Sequence, residues 1–334
     1  MQLSIIIVNY YAEKYIADCL NSAAQFSSYK TFEWIIINNC PFDKEKHRIE
    51  NIFTFIKWID MHNNTGFARA NNAGIKAATG DVVLLLNPDT IVVDDCIYKC
   101  FQRFKNDEAI ACSVQLLNAD QTPQITGNYF MKGGLNHLLP LPYMGSFLRK
   151  IAFIFNAKKT NVLSASARQK VDWINGAFLM VKKEAIENAG LMDEDFFLYA
   201  EESEWCSRLK KFGELVVYGD LNILHLQGEI INAKTNSADK GYFNLYDKKG
   251  LQLIISNNLR IRKQFGVAWY LLNLLFYIIE IPIFFFCSFF NNLIHLKNPF
   301  NDWQQLKGFS KNVFVLIELT PTIIKNKNHF YKMI

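Results

Sequence analysis

No C-x-x-C pair occurs among the seven cysteines, Cys19, Cys40, Cys96, Cys100, Cys112, Cys206 and Cys287. Cys96 and Cys100 are spaced like one face of a helix, but no histidine or second cysteine pair accompanies them. A structural zinc site is therefore disfavoured, and reduced, mostly buried thiols in a cytoplasmic protein are expected. The apolar run that begins at Leu3 has no basic region before it and ends at Asn9, so this segment is not expected to act as a signal peptide. No glycine-rich phosphate loop follows it, only Asn9-Tyr10-Tyr11-Ala12. There is no internal repeat. Glycine (16) and proline (8) are too few for a collagen-like chain. With 50% hydrophobic and 20% charged residues the chain is neither disordered nor a polytopic transporter. Its 334 residues suit one large domain or two.

The net charge of +5 is unevenly placed. Residues 232–334 carry 13 basic and 5 acidic side chains, whereas residues 1–231 carry 23 and 26. Many of the 28 phenylalanines also lie late in the chain. A basic, aromatic tail behind a near-neutral body points to a membrane surface and not to nucleic acid.

The first 120 residues alternate strand and helix patterns. Apolar runs at 3–8, 33–37, 56–59 and 82–86 read as strands, and 13–25 and 67–78 read as helices, the second stopped by Gly80 in a left-handed conformation. This order predicts an α/β fold with a mostly parallel sheet covered by helices, and ligands beyond the carboxyl ends of the strands. Those ends are polar: Asn9 and Tyr10, Asn38 and Asn39, Asn87 and Asp89. Residues 118–170 read as a long excursion with a mobile section, broken by Gly133-Gly134, Pro140 and Pro142. Order is expected again at 171–181, in helices near 184–189 and 201–212, and in a strand at 215–218, followed by His225.

Several residues admit both a chemical and a plain structural reading. Asp89 sits in an Asn87-Pro88-Asp89-Thr90 turn and can bind a cation or stabilise the turn. Arg69, Asn71 and Asn72 begin a helix after Gly66, which suits an anion, or Arg69 is merely exposed. Glu201, Glu202 and Glu204 cluster at a helix start, where carboxylates favour the dipole or one of them acts as a base. A lone histidine such as His225 is usually structural. Trp173 can stack on a sugar or fill the core. Asn9, Tyr10 and Asn38 can be no more than strand-end polar groups.

Three segments in order carry a resemblance. They are Asn63-Asn64-Thr65-Gly66-Phe67-Ala68-Arg69-Ala70-Asn71-Asn72-Ala73-Gly74 with Gly80-Asp81 and Asn87-Pro88-Asp89-Thr90, then Trp173-Ile174-Asn175-Gly176-Ala177-Phe178, then Asp193-Glu194-Asp195-Phe196-Phe197-Leu198-Tyr199-Ala200-Glu201-Glu202-Ser203-Glu204. The set resembles the inverting family-2 glycosyltransferases of GT-A fold, in particular their rhamnosyltransferase-like branch, over roughly residues 1–230. The resemblance implies a GT-A catalytic domain at 1–231, with a nucleotide-sugar half at 1–117 and an acceptor half at 118–231. It implies Asp89 as ligand of Mg²⁺ or Mn²⁺ in an Asp-x-Asp-like motif whose first position is Asn87, with His225 completing the site. Asn38 stands where the family has a base-reading aspartate, with Asn9 and Tyr10 beside the base and Arg69 and Asn72 near the donor. Glu202 stands where the family has its aspartate base, with Glu201 as the alternative. Trp173, Asn175 and Gly176 would line the acceptor side. The implied reaction is single-displacement transfer from a nucleotide sugar, dTDP-rhamnose or a UDP-sugar, to a saccharide or lipid-linked saccharide in cell-surface polysaccharide synthesis. A catalytically inactive sugar-nucleotide-binding subunit and a nucleotidyltransferase are the alternatives.

Residues 232–334 are expected to be helical, basic and membrane-associating. Between Lys263 and Lys297 lie 33 residues with Glu280 as the one formal charge. Glu280 and Pro282 should divide this stretch into halves too short to span a bilayer. Arg260, Arg262 and Lys263 before it, and Lys297, Lys307 and Lys311 after it, favour one side of the membrane for both flanks. The expectation is a peripheral or monotopic protein on the cytoplasmic face, where nucleotide sugars are made. A buried helical hairpin or a single span are the alternatives.

Overall fold

The computed structural model describes residues 2–41, 49, 51–155, 159–226 and 244–334. The expected boundary at 231/232, and part of the 118–170 excursion, lie outside them. The chain forms two units: Met1–Tyr129 with Asn161–Phe197 and Glu201–Ile230, and Phe130–Thr160 with Leu198–Ala200 and Ile231–Ile334. The segment read as an acceptor half, 118–231, is thus divided between them.

The first unit is built on one mixed sheet. Strands β1 (Leu3–Asn9), β2 (Glu33–Asn38), β3 (Ile56–Asp60) and β4 (Val82–Leu86) are parallel, in the order β3-β2-β1-β4. The sheet includes five further strands: β5 (Thr90–Ile91), β6 (Ala111–Leu117), β9 (Gln169–Val171), β11 (Phe178–Lys182) and β12 (Leu215–His225). β11 lies antiparallel between β4 and β6, β12 pairs parallel with β6, and β5 and β9 lie antiparallel to β12. A small second sheet joins β7 (Gly127–Asn128), β8 (Asn161–Val162) and β10 (Trp173–Ile174).

All seven residues of β1 are buried because both faces are covered. Ile5 and Ile7 join one core with Ile16 and Leu20 of α1 (Glu13–Ala24) and Cys100 and Phe104 of α3 (Cys96–Lys105). Ile6 joins the other, with Ile75 of α2 (Phe67–Ala77), Ile186 of α5 (Lys183–Ala189) and Trp205 of α6 (Glu201–Leu209). This two-residue alternation is what a pleated strand between two helical layers requires. The cysteines are free thiols, six buried and Cys287 exposed.

Three sequence expectations change. Gly80 is not left-handed: α2 ends on extended Ala78, and glycine is needed at 80 because a Cβ would lie 2.8 Å from the Gln2 carbonyl and from Ser4 Oγ. The 171–181 run is three strands, β9, β10 and β11. The 215–218 strand continues to His225, through a register shift between Tyr218 and Asn222 that hid its period from sequence reading.

The second unit is helical: α4 (Met144–Ile154), α7 (Lys248–Phe265), α8 (Val267–Ile294) and α9 (Trp303–Lys325). Glu280 and Pro282 do not divide the apolar stretch. α8 is one 28-residue helix containing Pro282, long and apolar enough to cross a membrane. Glu280 is fully buried, and its carboxylate accepts hydrogen bonds from the backbone amides of Tyr143 (2.7 Å) and Met144 (3.0 Å) at the start of α4. A charge that looked like a break in an apolar helix is a cap for another helix.

Candidate active site

The carboxyl ends of β1, β2 and β3 lie side by side, with Asn9 opposite Asn38 and Asn38 opposite Asp60. The side chains form a row. Asn9 Nδ2 donates to Asn38 Oδ1 (3.2 Å) and Glu13 Oε1 (3.0 Å), and Asn38 Nδ2 donates to Asp60 Oδ1 (2.9 Å). Asn38 is buried, and its carbonyl is already engaged by Asn9. The row thus has a carboxylate at each end, Glu13 beside Asn9 and Asp60 beside Asn38. Tyr10 follows on the rim, its ring edge-on to Tyr11 at 5.1 Å.

The pairing of short β5 with the end of β12 sets Thr90 against His225 and brings the Asn-Pro-Asp turn to the histidine. His225 Nε2 lies 3.4 Å from Asp89 Oδ1 and 3.2 Å from Asn87 Nδ2, with Asp89 and His225 both buried. Sequence reasoning missed Gln124. Its Nε2 donates to the His225 carbonyl (2.6 Å) and to Asn118 Oδ1 (2.8 Å), which turns its Oε1 to His225 Nδ1 at 2.9 Å. A carboxamide oxygen there requires a hydrogen on Nδ1, and Nε2 faces both Asn87 Nδ2 and Asp89 Oδ1. An imidazole nitrogen beside a carboxylate oxygen in a buried place is a pair of groups that can hold a cation, and an outer hydrogen bond to the far ring nitrogen is how metal-binding histidines are oriented. Among the described residues no group of three or more histidine, cysteine or acidic side chains is arranged to hold a metal ion, so Asp89 and His225 would share the ion with ligand oxygens. The signal for Gln124 was faint, since a glutamine in an irregular segment has no period or spacing.

The first and third segments pack on each other. Gly66, at φ +83°, approaches so closely that a Cβ would lie 2.5 Å from the Phe197 carbonyl, which also accepts from Phe67 N at 2.8 Å. Asn72 is buried and fully engaged: its amide donates to Met192 O and Glu194 Oε1, and its carbonyl accepts from Met192 N. Arg69 donates to the Glu194 carbonyl and lies 3.9 Å from its carboxylate. Asn71 bonds back to Phe67 O. These residues hold the 192–197 segment and, through it, the start of α6. In this structure Asn72 clamps the 192–194 segment.

The three glutamates of α6 differ by environment. Glu204 forms a two-point ion pair with Arg208, whose other contacts are the carbonyls of Ala189 and Leu191. Glu201 is buried with an Oε2 that meets no partner, and burial, aided by neighbouring Glu202, pushes its carboxyl well above the usual range. Glu202 is half-buried. A Cβ placed on Gly176 would lie 3.7 Å from Glu202 Cβ and 3.6 Å from the Phe67 ring. The Asn175–Ala177 turn links the two clusters, since Gly176 meets Glu202 and the Ala177 carbonyl accepts from Asn87 N at 2.9 Å. Asn175 shapes that turn by accepting from Ala177 N. Trp173 is partly buried and packs on the core beneath.

Three comparisons bear on this arrangement. A "Low-salt glycan biosynthesis hexosyltransferase Agl10" from Haloferax volcanii is 26% identical over 218 residues, 63% of this chain and 62% of that protein. A "Poly-beta-1,6-N-acetyl-D-glucosamine synthase" from Staphylococcus aureus is 27% identical over 215 residues, 63% of this chain and 46% of that protein. The chain thus matches about half to three-fifths of the length of these relatives. Among solved structures, GalNAc-T7 with UDP, GalNAc and Mn²⁺ matches with a TM-score of 0.50 at 13% identity, covering 67% of this chain and 43% of that one. The parallel-rich sheet is of the GT-A kind. The model of "Glycosyl transferase family 2" matches residues 4–170, half the chain and, apart from Leu3, all of β1 to β8, and this protein belongs to that family.

Proposed function

We propose that this chain is an inverting, metal-dependent glycosyltransferase that moves a sugar from a nucleotide sugar, dTDP-rhamnose or a UDP-sugar, to a saccharide or lipid-linked saccharide of a cell-surface glycan. The observation that carries the reading is the Asp89–His225 pair with its outer Gln124, next to a turn at which a Cβ on Gly176 would reach Glu202. Asp89 and His225 would hold Mg²⁺ or Mn²⁺, which when bound supplies positive charge for the leaving diphosphate. Glu202, as the half-buried carboxylate, takes the proton of the attacking acceptor hydroxyl. One attack from the face opposite the leaving group needs one base and no protein nucleophile, hence inversion. Asn9, Asn38 and Asp60 form the floor for the base. The test is calorimetry with UDP and dTDP, with and without Mn²⁺. Metal-dependent binding that Asp89→Ala abolishes, with the fold unchanged by circular dichroism, supports the reading. Binding that ignores both metal and Asp89 contradicts it.

The same proposal holds the enzyme at the cytoplasmic face of a membrane without crossing it. The buried face of α8 mixes Asn273, Glu280, Ser288 and Asn292 with Tyr270, Leu274, Tyr277 and Phe284, while its outward face carries Leu275, Ile279, Phe286, Phe290 and Ile294 and is largely apolar. A helix in water turns a polar face outward, and lipid is the solvent that suits this one. Removing residues 265–334 is expected to shift the protein from the membrane to the soluble fraction.

A further inference from the structure

We infer that α4 ends in a second membrane-inserting element, separate from α8, which dips into an anionic lipid surface. The inference rests on the membrane reading above and adds a site that lies far from the C-terminal stretch in sequence.

Phe153, Ile154 and Phe155 are consecutive and 84, 71 and 79% exposed, among the most exposed large apolar side chains of the described residues. Three such neighbours on one helix end are costly in water unless something covers them. The start of α4 is held. Glu280 accepts from its first two amides, and the Tyr143 ring lies 5.5 Å from Phe284 of α8. The helix is therefore anchored at one end and presents its apolar residues at the other.

Charge selects the occupant. No acidic residue lies between Asp120 and Asp172, and residues 130–160 carry five basic side chains and no acidic one. Arg149 and Lys150, both exposed, sit one turn before the apolar end, and Lys159 follows it. Aromatic and aliphatic side chains next to cations, without a carboxylate, match the boundary between lipid headgroups and acyl chains in an anionic membrane. A protein partner would need an acidic surface around an apolar socket. A second copy of this segment would bring like charges together.

The experiment uses the full chain carrying Cys287→Ser, which removes the exposed native thiol, and Phe155→Cys labelled with a polarity-sensitive fluorophore. Flotation with anionic and with zwitterionic vesicles is measured on the same samples. The expected result is flotation together with a severalfold rise and blue shift of emission, stronger on anionic vesicles. Flotation without a change in emission would overturn the inference while leaving the α8 reading intact. An emission change that follows protein concentration without vesicles would mean that a second copy covers this end, and would also overturn it. Absence of flotation with both lipids would remove the membrane reading and this inference with it. Phe153→Ser with Ile154→Ser and Phe155→Ser should weaken partition to anionic vesicles by about tenfold, with nucleotide affinity unchanged.

Discussion

At the residue scale, three glutamates within four residues meet three different environments. Glu202→Gln is expected to retain donor affinity and lose transfer by roughly 10²–10⁴-fold, the scale of a positioned base. Glu201→Gln should keep most of the transfer, measured in the same assay. It should also change stability. The Glu201 carboxyl stays protonated in the fold well above its unfolded value, so above about pH 4.5 the unfolded chain binds fewer protons than the native one. Stability therefore falls as pH rises from there toward the folded value. Glu201→Gln should raise the melting temperature at pH 7–8 and leave it nearly unchanged at pH 4, in paired thermal melts. Gln124→Leu releases His225 Nδ1 and should weaken Mn²⁺ binding by roughly 10–100-fold, as measured by calorimetry, while the Asp89→Ala loss is complete. Asp89, His225, Glu202 and Gly176 stand out in the sequence as candidates because short motifs surround them. Gln124 and Asp60 do not, because strand pairing is what brings them beside His225 and Asn38. Asn38 and Asn72 were legible as polar, but their partners, Asn9 and the 192–194 backbone, are visible only in three dimensions.

At the element scale, uninterrupted aliphatic runs made β1 and β4 readable almost to the residue. The short strands β5, β7, β8 and β10 carry too few residues for any period, and it is β5 that delivers Asp89 to His225. Helix α8 was misread for a physical reason. A buried charge and a proline look like a break in sequence, whereas here the charge faces two amides and the proline stays within the helix. Glu280→Ala should leave those amides without their acceptor and cost about 1–3 kcal/mol, seen as a lower denaturant midpoint. Gly66→Ala meets both a positive φ and the Phe197 carbonyl. It should cost about 1–3 kcal/mol as well and, by displacing the segment that leads to α6, lower transfer more than donor binding.

At the scale of the whole molecule, the first unit holds the proposed site, and most of the exposed large apolar side chains lie in the second. The 130–160 segment interrupts the first unit in sequence yet belongs to the second. Composition hinted at this split through the basic, phenylalanine-rich tail, but it could not assign an internal insertion to that tail. The central claim is glycosyl transfer from a nucleotide sugar at the Asp89–His225 end of the sheet. The most direct measurement is nucleoside diphosphate release by the full chain on anionic vesicles, from a panel of UDP-, dTDP- and GDP-sugars with and without Mn²⁺. Release from one class of donor, dependent on metal and absent in Asp89→Ala, is the expected result. Folded, vesicle-bound protein that releases nothing from any donor, or releases equally with Asp89 removed, would contradict it.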